Sequence, residues 1–154
     1  MIIYRILSFI VSFFCAFIAV NVLFSIFLAL TQPMLLIMSF ILICVVLYGW
    51  FANRFYANIV VLKKMMTKRQ KDLIQVNAIV AFIFSAVCVL GGIQILLQPQ
   101  LLDDALKSLP KDIAMPSEGI KKGMIVFLIF CSVLFVHIIW TYFLIRKHKD
   151  YFEA

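Results

Sequence analysis

Charge is what this sequence has least of. Asp, Glu, Lys and Arg make up 14% of its 154 residues, against about 25% in an ordinary soluble domain, while 66% of the residues are apolar. The few charges are segregated, with none from Ile6 to Asn53, from Leu73 to Leu102, or from Gly123 to Ile145. That pattern excludes an ordinary water-soluble domain. It also leaves the apolar runs without a carboxylate for ion coupling or acid–base work. Histidine is scarce: His137 and His148 are the only two, so one copy cannot build a bis-histidine haem site within its apolar runs. No His, Cys and carboxylate set has metal-ligand spacing. CxxC pairs, P-loops, GxGxxG, HExxH and GxSxG are all missing from the sequence. The expectation is a non-enzymatic chain without cofactor or metal.

What is present is apolar length. An uncharged run of about 18 or more residues is a candidate transmembrane helix, since a hydrocarbon core about 30 Å thick needs roughly 20 residues. The run from Ile6 to Asn53 as one helix would reach roughly 70 Å, so it must fold back. The turn is placed at Thr31-Gln32-Pro33, because proline biases its predecessor away from helix and fits a helix's first turn. The predicted spans are 6–30, 33–53, 73–97 and 122–145. The fold class is therefore all-α, an integral membrane four-helix bundle that makes 1–154 a single transmembrane domain. The first apolar region, about 25 residues, exceeds the roughly 7–15 of a signal-peptide core and has no clear small-x-small cleavage site, so it is read as an uncleaved anchor.

Basic residues set the orientation. Arg5, the 54–72 loop (Arg54, Lys63, Lys64, Lys68, Arg69, Lys71) and the 146–154 tail (Arg146, Lys147, Lys149) hold ten of the fourteen Lys and Arg residues. With Asp72, Asp150 and Glu153 subtracted, that side carries the whole net charge of +7. The 98–121 loop and Lys122 balance four Lys against Asp103, Asp104, Asp112 and Glu118. Both termini and the 54–72 loop are thus expected in the cytoplasm, with 98–121 outside. The expected location is the cell inner (plasma) membrane. Tyr48, Trp50, Phe51, Phe55 and Tyr56, together with Trp140, Tyr142 and Phe143, read as interfacial belts. "VLKKMMTKRQKD" invites an anionic-lipid or nucleic-acid reading. The plain positive-inside anchor explains it, and no nucleic-acid partner is expected. In the outer loop, "LLDDALKSL" places Leu101, Leu102, Ala105, Leu106 and Leu109 on one face, the pattern of a short amphipathic helix ended by Pro110.

Small residues recur at helical spacing. In "NAIVAFIFSAVCVLGG", Ala78, Ala81, Ser85, Cys88 and Gly92 follow at intervals of three, four, three and four. Ser8, Ser12, Cys15 and Ala19 repeat the device in the first span. In lipid, such edges let helices approach closely, and both are expected to face the bundle interior. Spans two and four show no comparable line. Asn21, Ser39, Ser85 and Ser132 fall at similar depths, roughly 18–22 Å from the inner boundary, and with His137 they form a candidate polar layer. Its simplest role is interhelical hydrogen bonding. An intramembrane histidine is a functional candidate by default, yet His137, with Thr141 one turn on, reads most simply as a satisfied neutral side chain. Cys15, Cys44, Cys88 and Cys131, one per helix, read as packing residues.

The layout, with a minimal first outer turn and a longer second outer loop, is superficially similar to that of tetraspanins. The chain lacks their CCG motif and loop cysteines, so the likeness stops at layout. The function expected is association through helix packing, as an accessory or scaffold subunit or a homo-oligomer, with the bilayer and other membrane subunits or itself as partners. One alternative is a small-solute transporter or channel using the polar layer. The other is a redox or metal protein using the intramembrane cysteines.

Overall fold

The computed structural model describes residues 2–101 and 117–153. Four of its helices are long and apolar enough to cross a membrane. α1 runs Ile2–Ala29, α2 Pro33–Phe55, α3 Lys68–Leu97 and α4 Ser117–Lys147. Apolar chains of this kind favour helix because every backbone polar group is then satisfied within its own segment. The α1–α2 turn is built on proline: Gln32 is extended at φ −135° and ψ 111°, and Pro33 opens the helix where no N–H is needed. Thr31 closes the other side, its hydroxyl donating to the Leu28 carbonyl at 2.7 Å.

The helices do not stop where the charges begin. α4 starts at Ser117, inside the segment expected as outer loop, and α3 starts at Lys68. α2 passes directly into a π-helical stretch, Tyr56–Val61, so most of the expected 54–72 loop is helical. Lys and Arg are good helix formers, so the end of a charge-free run does not end the helix. The connection is completed by Lys63 in the left-handed region (φ 56°) and by a two-residue strand, β1, at Met66–Thr67. Thr67 then caps α3, forming a capping box with Gln70 in which both bonds are 3.4 Å. The amphipathic pattern expected at 101–109 lies, beyond Leu101, outside the described residues.

Each helix packs on its sequence neighbours, and α1 meets α4 to close the ring. Both termini and the α2–α3 connection gather at one end, because Tyr4 contacts Tyr56, Trp140 and Thr141. The C-terminal tail folds onto that end. After a 3₁₀ turn at Lys149–Tyr151, Phe152–Glu153 forms β2 and pairs in parallel with β1, Met66 opposite Phe152. The Phe152 ring stacks on Phe55 at 6.0 Å, and Lys71 lies over it at 5.6 Å. His148 is buried there, its Nδ1 2.9 Å from the Leu144 carbonyl.

Burial is weighted toward this basic end. Tyr4, Tyr48, Phe55, Ile59, Ile74 and His137 are fully enclosed, whereas no described side chain from Leu23 to Met38 is buried. Aromatic stacks join the helices farther along: Phe14 on Phe130 at 4.7 Å, and Phe82 on Phe135 at 4.8 Å.

The small-residue edges pair with sequence neighbours. On α1, Ser8 and Cys15 are buried, with Ser12 and Ala19 half-buried. Cys15 faces Gly49 of α2, where a Cβ would stand 2.5 Å from its Sγ. α2 brings two small residues, Gly49 and Ala52, to buried positions, a shorter run than the lines on α1 and α3. It is inconspicuous in the sequence because bulky Trp50 and Phe51 stand between the two. On α3, Ala81 and Ser85 are fully buried and Ala78, Cys88 and Gly92 half-buried. A Cβ on Gly92 would come within 2.6 Å of a Leu128 methyl of α4.

Candidate functional site

The densest polar chemistry lies inside the basic half of the bundle, where three helices each bring hydroxyl or imidazole groups to one point. α4 supplies His137 and Thr141, four residues apart and hence on one face. α2 supplies Tyr48, one turn from Cys44, Val45 and Ala52 on its buried face, and α1 supplies Tyr4 from its first turns. All four side chains are buried. Thr141 Oγ1 donates to the His137 carbonyl at 2.8 Å; Tyr48 OH lies 3.0 Å from Thr141 Oγ1 and 2.8 Å from His137 Nδ1; Tyr4 OH lies 2.9 Å from Thr141 Oγ1. The Tyr4 ring stacks on the imidazole at 4.9 Å, with Tyr56 and Trp140 packed against its other sides.

Proton counting decides how these contacts are filled. The network has four contacts, and a neutral histidine, two tyrosines and a threonine bring four protons. Thr141 spends its proton on the carbonyl, so both tyrosines donate to its oxygen. The remaining contact is then filled only if His137 Nδ1 carries the ring proton and donates to Tyr48 oxygen. This tautomer satisfies every contact and leaves Nε2 as a bare lone pair. Nε2 is indeed buried without a partner among the described residues, in a histidine only 1% exposed. The cluster is a closed hydrogen-bonded junction of three helices, locked by neutral groups.

The residues of the candidate polar layer are not brought together. Asn21 and Ser132 are exposed on the bundle surface, donating to their own helices at the Phe17 carbonyl (2.8 Å) and the Leu128 carbonyl (2.9 Å). Ser85 is buried and donates to the Phe82 carbonyl at 3.0 Å, while Ser39 is buried on α2. Short polar side chains in helices satisfy themselves on the preceding turn, which removes the need for a partner helix. Only His137 enters an interhelical network, nearer the basic end. Tyr4 and Tyr48 escaped sequence reasoning, because tyrosine near an apolar boundary reads equally well as interfacial belt. The available signal was the shared face of Cys44, Val45, Tyr48 and Ala52. All four cysteines are free. Cys15 Sγ lies 3.6 Å from the Val45 carbonyl, and the Cys88 and Cys131 thiols face each other between α3 and α4. Among the described residues no group of three His, Cys, Asp or Glu could hold a metal ion.

Among the grooves on the described surface, two with contrasting linings lie between neighbouring helices. One, about 500 Å³, lies between α3 and α4; Tyr48 and Thr141 line its buried floor, and Ile79, Ile139 and Phe143 its exposed rim. The other, about 590 Å³, lies between α1 and the run of α2 into its π-helical extension; Ser12, Cys15, Ala16 and Ala19 line one wall, and Val46, Gly49, Trp50 and Ala57 the other. Asn53 and Arg54 stand at its basic end. Neither protein-family models, curated proteins nor solved structures provide a match to this chain.

Proposed function

We propose that this chain is a non-enzymatic, multi-pass protein of the cell inner membrane, with both termini in the cytoplasm, and that it works by association as an accessory or scaffold subunit. The observation that supports this reading is the α1–α2 groove. The α3 edge is spent inside the bundle against α4, and the buried hydroxyls and imidazole are spent on one another. The α1–α2 groove is different, because Ala16 and Ala57 remain exposed while bulky residues cover most of the remaining surface. Small residues along the α1 wall let a partner's transmembrane helix approach that backbone closely, with Trp50 of the opposite wall available to pack against it, and van der Waals contact of that kind is what drives helix association in lipid. The Asn53 amide offers that helix a hydrogen bond.

The test places a photo-crosslinking residue at Ala16 in the intact protein in its native membrane, with Ile83 on the exposed face of α3 as the control position. A discrete adduct from position 16 that is lost on Ala19→Leu supports the reading, and its mass separates a different subunit from a second copy. Equal, diffuse labelling from both positions overturns it.

A further inference from the structure

The α3–α4 groove does not end at its apolar wall. At the basic end it continues into a second pocket of about 270 Å³, lined by Lys71, Gln75, Tyr142, Ile145, Arg146 and Lys149. Gln75, Tyr142 and Ile145 line both spaces. The pocket thus gathers three cations from separate elements: the start of α3, the end of α4 and the 3₁₀ turn. No carboxylate is among its lining residues. The fold builds this cluster by docking the tail. The β1–β2 pairing and buried His148 hold Lys149 beside α3, and Phe152 holds the Lys71 ammonium.

Dimensions identify what fits. From Lys71 to Phe82, at the far end of the apolar groove, α3 rises about 16 Å, close to one leaflet of a hydrocarbon core about 30 Å thick. Three cations therefore sit at headgroup level, Gln75 and Tyr142 follow where polar ester groups lie, and an apolar channel of about 500 Å³ runs along one leaflet. We propose that this composite is a binding site for an anionic phospholipid of the leaflet at the basic end. The phosphate rests on Lys71, Arg146 and Lys149, and an acyl chain lies between Ala78 and Ile79 of α3 and Ile138 and Ile139 of α4. A soluble phosphate would leave the apolar channel unused, and a zwitterionic lipid would bring a cation to a cluster of cations. The site rests on the membrane reading but is independent of the α1–α2 groove, which lies on other helices.

The test uses the full-length protein, purified in mild detergent, stripped of lipid, and titrated with phosphatidylglycerol or phosphatidylcholine of identical chains under native mass spectrometry. The expected result is selective retention of phosphatidylglycerol. Neutralising Lys71, Arg146 and Lys149 to Gln should weaken it on the order of 100-fold, at about five-fold per basic group. Neutralising Lys64, Lys68 and Arg69 to Gln removes the same charge outside the pocket and should change retention only a few-fold. Ala78→Phe, or Ile79→Trp if the first variant does not fold, should weaken binding with every charge in place. Inorganic phosphate should not compete. Equal losses from the two triple variants would overturn the site in favour of general positive charge. Full competition by phosphate with no effect of the groove variants would reduce it to a headgroup-only anion site and overturn it equally. Either failure leaves crosslinking at Ala16 unaffected.

Discussion

Replacing Tyr48 by Phe tests the proton assignment in the buried junction, because it removes one oxygen and nothing else. In the intact network Tyr48 accepts from His137 Nδ1 and donates to Thr141 Oγ1. Without its hydroxyl, the imidazole keeps a ring proton that has no acceptor on either nitrogen, since Nε2 is already enclosed without a partner. Leaving a buried donor unsatisfied costs about 1–3 kcal/mol. Tyr4→Phe is the informative contrast. Tyr4 only donates to Thr141, whose oxygen still accepts from Tyr48 and still donates to the His137 carbonyl, so no orphan remains. Its loss should cost about 0.6 kcal/mol, the average for an interhelical hydrogen bond in a membrane bundle. Tyr48→Phe should therefore be the worse variant by about 1–2 kcal/mol. Adding His137→Leu removes the orphan, so the double variant should be more stable than the sum of the two single losses by a similar amount. The assay is reversible unfolding in mixed micelles, followed by fluorescence of Trp140, which lies 6.0 Å from Tyr4. Nitrogen-15 spectra of labelled histidine should place the His137 proton on Nδ1. Equal costs for the two phenylalanine variants, or a proton found on Nε2, would refute the assignment.

Two further predictions concern packing. Gly49→Ala places a methyl 2.5 Å from Cys15 Sγ and should destabilise the α1–α2 contact by about 1–3 kcal/mol less the helix-propensity gain; Cys15→Ala in the same chain should restore most of that loss in the micelle unfolding assay. Ala81→Leu with Ser85→Leu adds bulk where both side chains are fully buried and should lower the unfolding midpoint sharply, whereas Gly91→Ala, whose Cβ would meet nothing within 4 Å, should leave the midpoint unchanged or raise it.

The architecture was legible because its signals are local. Charge-free length marks helices able to cross a membrane, and Pro33 with an extended Gln32 marks the first turn without reference to anything distant. The edges on α1 and α3 were visible for the same reason, since their members recur at helical spacing within one segment. The polar layer was less legible. Depth counting aligned Asn21, Ser39, Ser85 and Ser132 along the bundle axis, but depth carries no information on rotation about each helix, and Asn21 and Ser132 turn outward. Tyr4 and Thr141 are 137 residues apart in sequence, and neither carries a mark that names the other.

Composition and periodicity thus determined the all-helical class, the four long apolar segments and the gathering of positive charge, because each follows from how a stretch of chain partitions between water and oil. Tertiary structure alone decided which residues those helices enclose. It selected Tyr48 and His137 over Asn21 and Ser132, set Cys15 against Gly49, and folded the tail back to place Lys149 beside Lys71 and Arg146. The physical reason is that rotation and register are settled by contacts between segments, where a single methyl or hydroxyl finds or loses a partner.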